Sequence, residues 1–504
     1  MPKDSHLPEI KPPNRGVVMS GALLAMLLAA LDSSIVNTAL PRMAADLGGL
    51  SRLSWVVTAF MLSSTVTSPL YGKLSDSYGR RTMFSVSIVI FLLGSVLCGA
   101  ARGMDALIGF RALQGLGAGG LLVLAQASIG DVISPRDRPR YQGLFAGTFA
   151  LASAAGPLLG GIITQALSWR WIFYVNLPLG ALAFAMIWLG LQHDAAQREP
   201  GRAGRIDYAG TLLLTSATAA LLLLLDWGGA QFAWMSLRAF ALGALTLIAL
   251  VLFLWRESVA AEPIIRLALF RNKTFARGSA VGGMATFAMF GALVFMPLYF
   301  QLVLGMSPAE SGFMILPQVS CMVLSSFLGG RIVSRYGRYR PFLLGGMALE
   351  AASLATLAGL AFAGASPLVF VIVLALLGLG MGIFMPNLTN AIQNAVPHAQ
   401  LGAATGAMVF IRSLGGAVGV AASGAIMTAR LSHAHLGAGF SAASLHSATA
   451  LAGLSPAHHA AIAFAYRSAL AGSFLLSGIV MSCGFLLVLG LSEVPLRNQV
   501  GDKP

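Results

Sequence analysis

Apolar residues in this chain come in blocks of about 20, separated by short polar or basic stretches. A helix of that length crosses the hydrocarbon core of a bilayer. Fourteen such blocks stand out, near 17–40, 53–72, 83–101, 105–129, 142–166, 171–191, 207–226, 236–255, 278–302, 311–333, 342–363, 367–390, 402–429 and 468–491. In lipid each backbone group must be satisfied within its own segment, so the expected elements are helices. The expected fold class is all-α integral membrane, with about fourteen transmembrane helices. The first block follows Lys3, Lys11 and Arg15 and could mimic a signal peptide. It continues through Asp32 and Asn37, and many spans follow, so it reads as a retained span.

Composition excludes the soluble alternative. Of 504 residues, 57% are hydrophobic and 10% are charged, where a soluble chain carries about a quarter charged. Too few polar residues exist to cover the several domains a soluble chain of this length needs. No constellation suggests an enzyme, and no metal or cofactor is expected. The three cysteines, Cys98, Cys321 and Cys483, lie inside apolar blocks and form no metal-binding pair. The sequence GLGAGG (115–120) imitates a dinucleotide loop but lies inside a span and follows no strand. No ATP-binding loop appears, so transport must run passively or on an ion gradient.

The net charge of +14 resembles that of a nucleic-acid binder. The basic residues sit instead in short clusters between apolar blocks, which argues against nucleic acid. With a cytoplasmic N-terminus and every span crossing, 23 of the 32 Lys and Arg fall on inside segments. Seven fall outside and two, Arg111 and Arg412, fall within spans. That bias is the positive-inside rule, and it places both termini in the cytoplasm.

The chain also repeats. GKLSDSYGR at 72–80 recurs as GRIVSRYGR at 330–338, and LQGLGAG at 113–119 as LLGLGMG at 376–382. Gly143, Gly147, Gly156 and Gly160 recur as Gly402, Gly406, Gly415 and Gly419. The expected organisation is a cytoplasmic tail (1–16), a six-helix half (17–191), two unpaired helices (207–255), a second six-helix half (278–491) and a C-terminal tail (492–504). Residues 430–467 form an Ala-rich external loop within the second half. Parallel halves place a substrate path at their interface near the midplane. The external loop holds His433, His435, His446, His458 and His459 without a Cys, Asp or Glu, so a partly helical external loop is preferred to a metal site.

The loop after the second span carries the first candidate chemistry. Its glycines, Gly72 and Gly79, permit a tight reversal. Asp76 can accept hydrogen bonds at a helix N-terminus, and Arg80, beside Arg81, can pair with a carboxylate such as Asp131. Such a latch would hold one conformation and release in another; a plain positive-inside turn is the alternative. This loop resembles the signature of the major facilitator superfamily. Its second-half copy has Ser334 where the first has Asp76, so a latch there lacks its carboxylate.

Further segments resemble one branch of that superfamily. AGPLLGG (155–161), with Gly156, Pro157, Gly160 and Gly161, resembles the motif of antiporter members, departing from it at Ala152, where glycine is usual. LDSSIVNTALP (31–41), WRWIFYVNLP (169–178), FMPLYFQ (295–301) and the stretch from Gly378 through Gly419 resemble the 14-span drug:proton antiporters. The unpaired seventh and eighth spans fit that family too. The resemblance implies the major facilitator fold and proton-coupled efflux.

Charges inside spans are costly and so are functional candidates. Asp32 and Arg111 lie at similar depths from the outer side, and the resemblance puts both spans on the cavity. Their pairing lowers the proton affinity of Asp32, while separation or desolvation raises it. A static ion pair is the alternative. Asn37, Gln114 and Gln126 are candidate cavity residues. Glu350 and Arg412 match in depth on the second half, with Glu350 a candidate protonation site on a supporting helix.

The expected function is therefore proton-coupled antiport, exporting small amphipathic or apolar organic compounds such as drugs across the cell (inner) membrane. Partners are the substrate, protons and the lipid bilayer, and a periplasmic adaptor is left open. A dedicated metabolite exporter, a proton symporter or a non-transporting sensor are the rivals.

Overall fold

A computed structural model describes residues 15–48, 52–191, 207–229, 231–432 and 456–496. Every element of regular structure among them is helical apart from one isolated bridge. Helices α1 (Arg15–Leu47), α2 (Leu53–Tyr78), α3 (Arg80–Gly99), α4 (Met104–Val132) and α5 (Arg138–Ala166) open the chain. The sixth span is α6 (Trp171–Tyr174) and α7 (Asn176–Gly190), interrupted at Val175, three residues before Pro178. The central pair is α8 (Tyr208–Trp227) and α9 (Leu237–Val259). The ninth span is likewise divided, into α10 (Lys273–Leu293) and α11 (Met296–Leu302), with Pro297 in the first turn of α11. A proline lacks the N–H and crowds the preceding turn, which accounts for a break at such a position. Then follow α12 (Pro308–Tyr336), α13 (Arg340–Ala363), α14 (Pro367–Asn394), α15 (Leu401–Ser432) and α16 (Pro456–Leu489).

Thirteen of these spans are long and apolar enough to cross a membrane. The fourteenth, α10, has 21 residues, and Lys273, Arg277 and its glycines dilute its hydropathy. Several helices outrun the expected spans. α2 continues to Tyr78, and α15 and α16 narrow the expected loop 430–467 to the stretch between Ser432 and Pro456. His433, His435 and His446 lie outside the described residues, and no metal-binding cluster occurs among those described.

Each half has its own apolar core. The first is built around Leu28, Phe84, Phe91 and Leu121, with a neighbouring cluster at Ile35, Leu107 and Phe173. The second centres on Phe275, Phe300, Met347, Phe384 and Phe474. The central helices pack on each other, and α8 touches α2 and α15. α9 leaves Phe240, Leu247, Ile248, Val251 and Trp255 exposed, as a helix facing lipid should. Asp207 closes this hairpin: it caps α8 through the Gly210 N–H (3.1 Å) and pairs with Arg256 of α9 (3.0 Å). Burial alone would raise the Asp207 carboxyl, but the Arg256 guanidinium and the Gly210 N–H outweigh it and hold it below the usual range.

The halves meet along two helix pairs, α2 with α15 and α5 with α12. Those pairs are repeat equivalents, and both rely on small residues. A Cβ on Gly72 would stand 2.3 Å from the Gly402 carbonyl oxygen, and one on Gly330 would stand 2.1 Å from that of Pro139. Such contact between backbones is open only to residues without a side chain.

Candidate functional site

The Asp32 carboxylate lies inside the first half. It and Arg111 are each 1% exposed. Arg111 Nη1 donates to Asp32 Oδ2 at 2.7 Å, and Gln114 Nε2 and Asn176 Nδ2 each donate to Oδ1 at 2.8 Å. Ser95 Oγ accepts from the same two amides at 2.7 and 3.1 Å. Arg111 also donates to Gln114 Oε1 (2.6 Å) and the Val56 carbonyl (3.2 Å), and stacks 4.1 Å over the Phe60 ring. Both carboxylate oxygens thus accept charged or amide donors, and four first-half helices, α1, α3, α4 and α7, meet at one point. Gln114, expected on the cavity wall, is fully buried with its amide engaged in this network. Asn176 and Ser95 were not expected. Their signal was available: Asn176 stands among apolar residues in WRWIFYVNLP, where an unpaired amide would be costly.

Asn37, one turn from the network in sequence, is exposed, as is Thr38. α1 therefore presents two faces. Asp32 joins the network, while Ser34 and Thr38 meet the AGPLLGG segment of α5. Ser34 Oγ donates to the Ala152 carbonyl at 2.9 Å. Cβ atoms on Gly156 and Gly160 would lie 1.9 Å from Ser34 Oγ and 2.2 Å from Thr38 Oγ1. Gly161 has open space beside it and Pro157 is exposed, so only two of the motif's glycines serve the α1–α5 contact.

At the α2–α3 turn, the expected latch residues come together with one redistribution. Gly79 makes the reversal, with φ of 89°. Gly72 is not a turn residue but lies within α2, at the contact with Gly402. Asp76 accepts from the Gly402 and Ala403 N–H groups at 2.9 and 2.8 Å, and so caps a helix of the other half. Arg80 bridges Asp76 (2.8 Å) and Asp131 (2.7 Å) and donates to Ser75. His398 of the second half stands 3.4 Å from Asp131. Arg81 lies apart, stacked 3.8 Å over the Trp188 ring.

The second-half copy is completed from across the interface. Ser334 Oγ donates to Asp137 at 3.0 Å, and Arg136 donates to the Ser334 and Arg335 carbonyls. The carboxylate missing from the repeat is thus supplied by the first half. Nearby, Gln393 Nε2 approaches the Gln126 carbonyl at 3.4 Å, while Gln126 itself is half-buried with Oε1 unpartnered. All of these contacts lie at the ends of the spans that carry the α2–α3 turn, where the two halves touch.

An Asp76→Asn exchange should weaken this closure by about 1–3 kcal/mol, since one oxygen replaces two acceptors and Arg80 loses a charged partner. Ser334→Ala should cost less, because the Ser334–Asp137 contact is exposed. Cysteine accessibility measures them, at the ends of α2 and α15 for the first and of α5 and α12 for the second. Equal accessibility in the two variants would contradict this ranking.

Glu350 and Arg412 do not pair, although their depths match. Glu350 lies behind α14, with its backbone against Gly380, whereas Arg412 meets α14 at Thr389 (2.9 Å). Glu350 is 1% exposed and its Oε2 has no partner among the described residues.

A sequence model of the Major Facilitator Superfamily matches residues 22–420. The chain belongs to the Major Facilitator Superfamily. As such it is a multi-pass membrane transporter and not an enzyme. Among curated relatives, "Multidrug transporter protein MdtP" of Bacillus subtilis (strain 168) is 40% identical over 422 residues, covering 84% of this chain and 77% of that protein. "Efflux pump FUS6" of Gibberella moniliformis is 34% identical over 419 residues, 82% and 74% of the two chains. Of solved superfamily structures, the proton:xylose symporter XylE aligns with a TM-score of 0.62 at 13% identity, covering 93% of this chain and 95% of that one. The human organic anion transporter MFSD10 aligns at 0.61 and 17% identity, covering 93% and 100%. At these identities the two structures speak to the fold alone.

Proposed function

We propose that this transporter exports small amphipathic or apolar organic compounds across the cell membrane in exchange for protons. The observation that carries the reading is the saturated Asp32 carboxylate. Protonating it removes the charge that Arg111 neutralises, and a buried guanidinium left alone is costly. Proton uptake at Asp32 therefore favours a rearrangement that gives Arg111 new surroundings. α1 carries that change to α5 through Ser34 and Thr38, which rest on Gly156 and Gly160. α5 in turn packs on α12 at the inner closure, so the protonation state and the gate share one mechanical path. The names borne by the relatives, a multidrug transporter and an efflux pump, support the direction. In this reading both termini are cytoplasmic, and substrate enters when the inner contacts part.

Reconstitution tests it. In proteoliposomes, a proton gradient directed into the compartment that holds the substrate should drive N-phenyl-1-naphthylamine out of it. Collapsing the gradient with a protonophore should stop that flux. Flux that ignores the gradient would remove antiport from the reading.

A further inference from the structure

The charges inside the membrane region are not all paired. Asp32 and Arg111 neutralise each other. Glu350 lies against α14 at Gly380 and makes no ion pair with Arg412. That leaves Arg412, eleven residues into α15 and so about 16 Å along its axis at a rise of 1.5 Å per residue. Among the described residues no carboxylate lies within ion-pair distance of it, and its one side-chain hydrogen bond goes from Nη2 to Thr389 Oγ1 at 2.9 Å. Its Nε is buried and unpartnered. A guanidinium offers five N–H donors, so most of its capacity is unused.

Arg412 is half-buried, at the point where the buried stretch of α15 ends. Residues 401–410 of α15 are buried, whereas Ile411 through Leu414 are half-buried, marking where α15 leaves its packing. In the repeat Arg412 stands where the first half has Ser153, which is exposed. Its backbone is fixed by Thr286 Oγ1, which donates to the Arg412 carbonyl at 2.7 Å. One turn outward, Gly416 packs on the ring of Phe290, a residue 38% exposed. A cation with free donors and an aromatic ring thus follow one another along one face of α15.

We propose that Arg412 receives the anionic group of the transported molecule. The preferred substrate class is then the amphipathic organic anion, a carboxylate or sulfonate joined to an apolar body. A bare guanidinium at this depth is costly, and a bidentate carboxylate or sulfonate supplies both the charge and the acceptors it lacks. The apolar body lies against Phe290. This inference rests on the reading that small organic molecules are carried between the halves, but not on proton coupling.

A pair of nearly isosteric probes, 2-naphthylacetate and 2-naphthylacetamide, isolates the charge. Binding to the full chain in nanodiscs is measured by equilibrium dialysis at pH 7.5. The wild type should prefer the acetate by at least about tenfold, the discrimination typical of one charge-assisted pair. Arg412→Gln should erase that ratio, and Arg412→Lys should retain part of it. A wild type that binds the amide as well as the acetate overturns the proposal, with no variant needed. So does a ratio that survives in Arg412→Gln. If the acetate binds through Arg412 yet no proton gradient moves it, the antiport reading fails and the anion site stands. If a proton gradient drives the neutral amine dye but the acetate is not preferred, antiport stands and the anion site falls.

Discussion

An Asp32→Asn transporter should lose proton-driven flux altogether and should also lose thermal stability. Two effects meet at this position. Asparagine cannot take up the proton, so the cycle has nothing to exchange. It also leaves Arg111 buried at 1% exposure with its ion-pair partner gone. Breaking a buried pair from one side typically costs about 3–5 kcal/mol. The two effects are separable. Arg111→Gln added to Asp32→Asn removes the stranded charge and should recover much of the thermal midpoint in detergent. Coupling should not return. A double variant that regained gradient-driven transport would show that the proton is carried elsewhere, with Glu350 the next site to test.

Gly72→Val should reduce transport at least about tenfold by forcing the inner ends apart. The added Cβ would sit 2.3 Å from the Gly402 carbonyl oxygen and 3.1 Å from the Gly406 Cα. Both are backbone atoms, so no rotamer change relieves the clash, and the helices themselves must move. That movement draws Asp76 away from the Gly402 and Ala403 N–H groups and removes the cap that ties the halves. Overpacking of a tight contact commonly costs about 1–3 kcal/mol, and the middle of that range shifts a balanced two-state equilibrium by more than about tenfold. Spin labels on the inner ends of α2 and α15 should report a longer separation. Gly161→Ala provides the control, since open space surrounds that position. Unchanged separation and flux in Gly72→Val would show that the contact is not needed for closure.

Much of this architecture can be read along the chain, because the hydrocarbon thickness imposes its own length on every apolar block. The Asp32–Arg111 pair is legible for a related reason: two opposite charges at equal depth in lipid have strong cause to meet. Depth alone also misleads. Glu350 and Arg412 share a depth but are separated by α14, and nothing in the linear order of residues reveals which face of a helix each occupies. Asn176 was hidden differently, since an amide carries no charge to draw attention and sits beyond a helix break at Val175. Gly72 belongs to a motif that suggests a turn, yet its role depends on the approach of a residue 330 positions later, Gly402. The partner of Ser334 was invisible to the repeat itself, because Asp137 belongs to the other half.

The two inner closures, although built from the same repeat, are unequal in strength. On the α2–α15 flank a half-buried carboxylate caps a helix and joins a chain of Arg80, Asp131 and His398. On the α5–α12 flank the corresponding polar contacts are exposed to solvent, where they count for less. A closure with one firm edge and one soft edge does not part evenly; it swings about the firm edge like a door on its hinge. The first opening is then a slit along the seam of α5 and α12. If the proposed orientation holds, molecules dissolved in the cytoplasmic leaflet would meet that slit sideways, before the remaining contacts between the halves part.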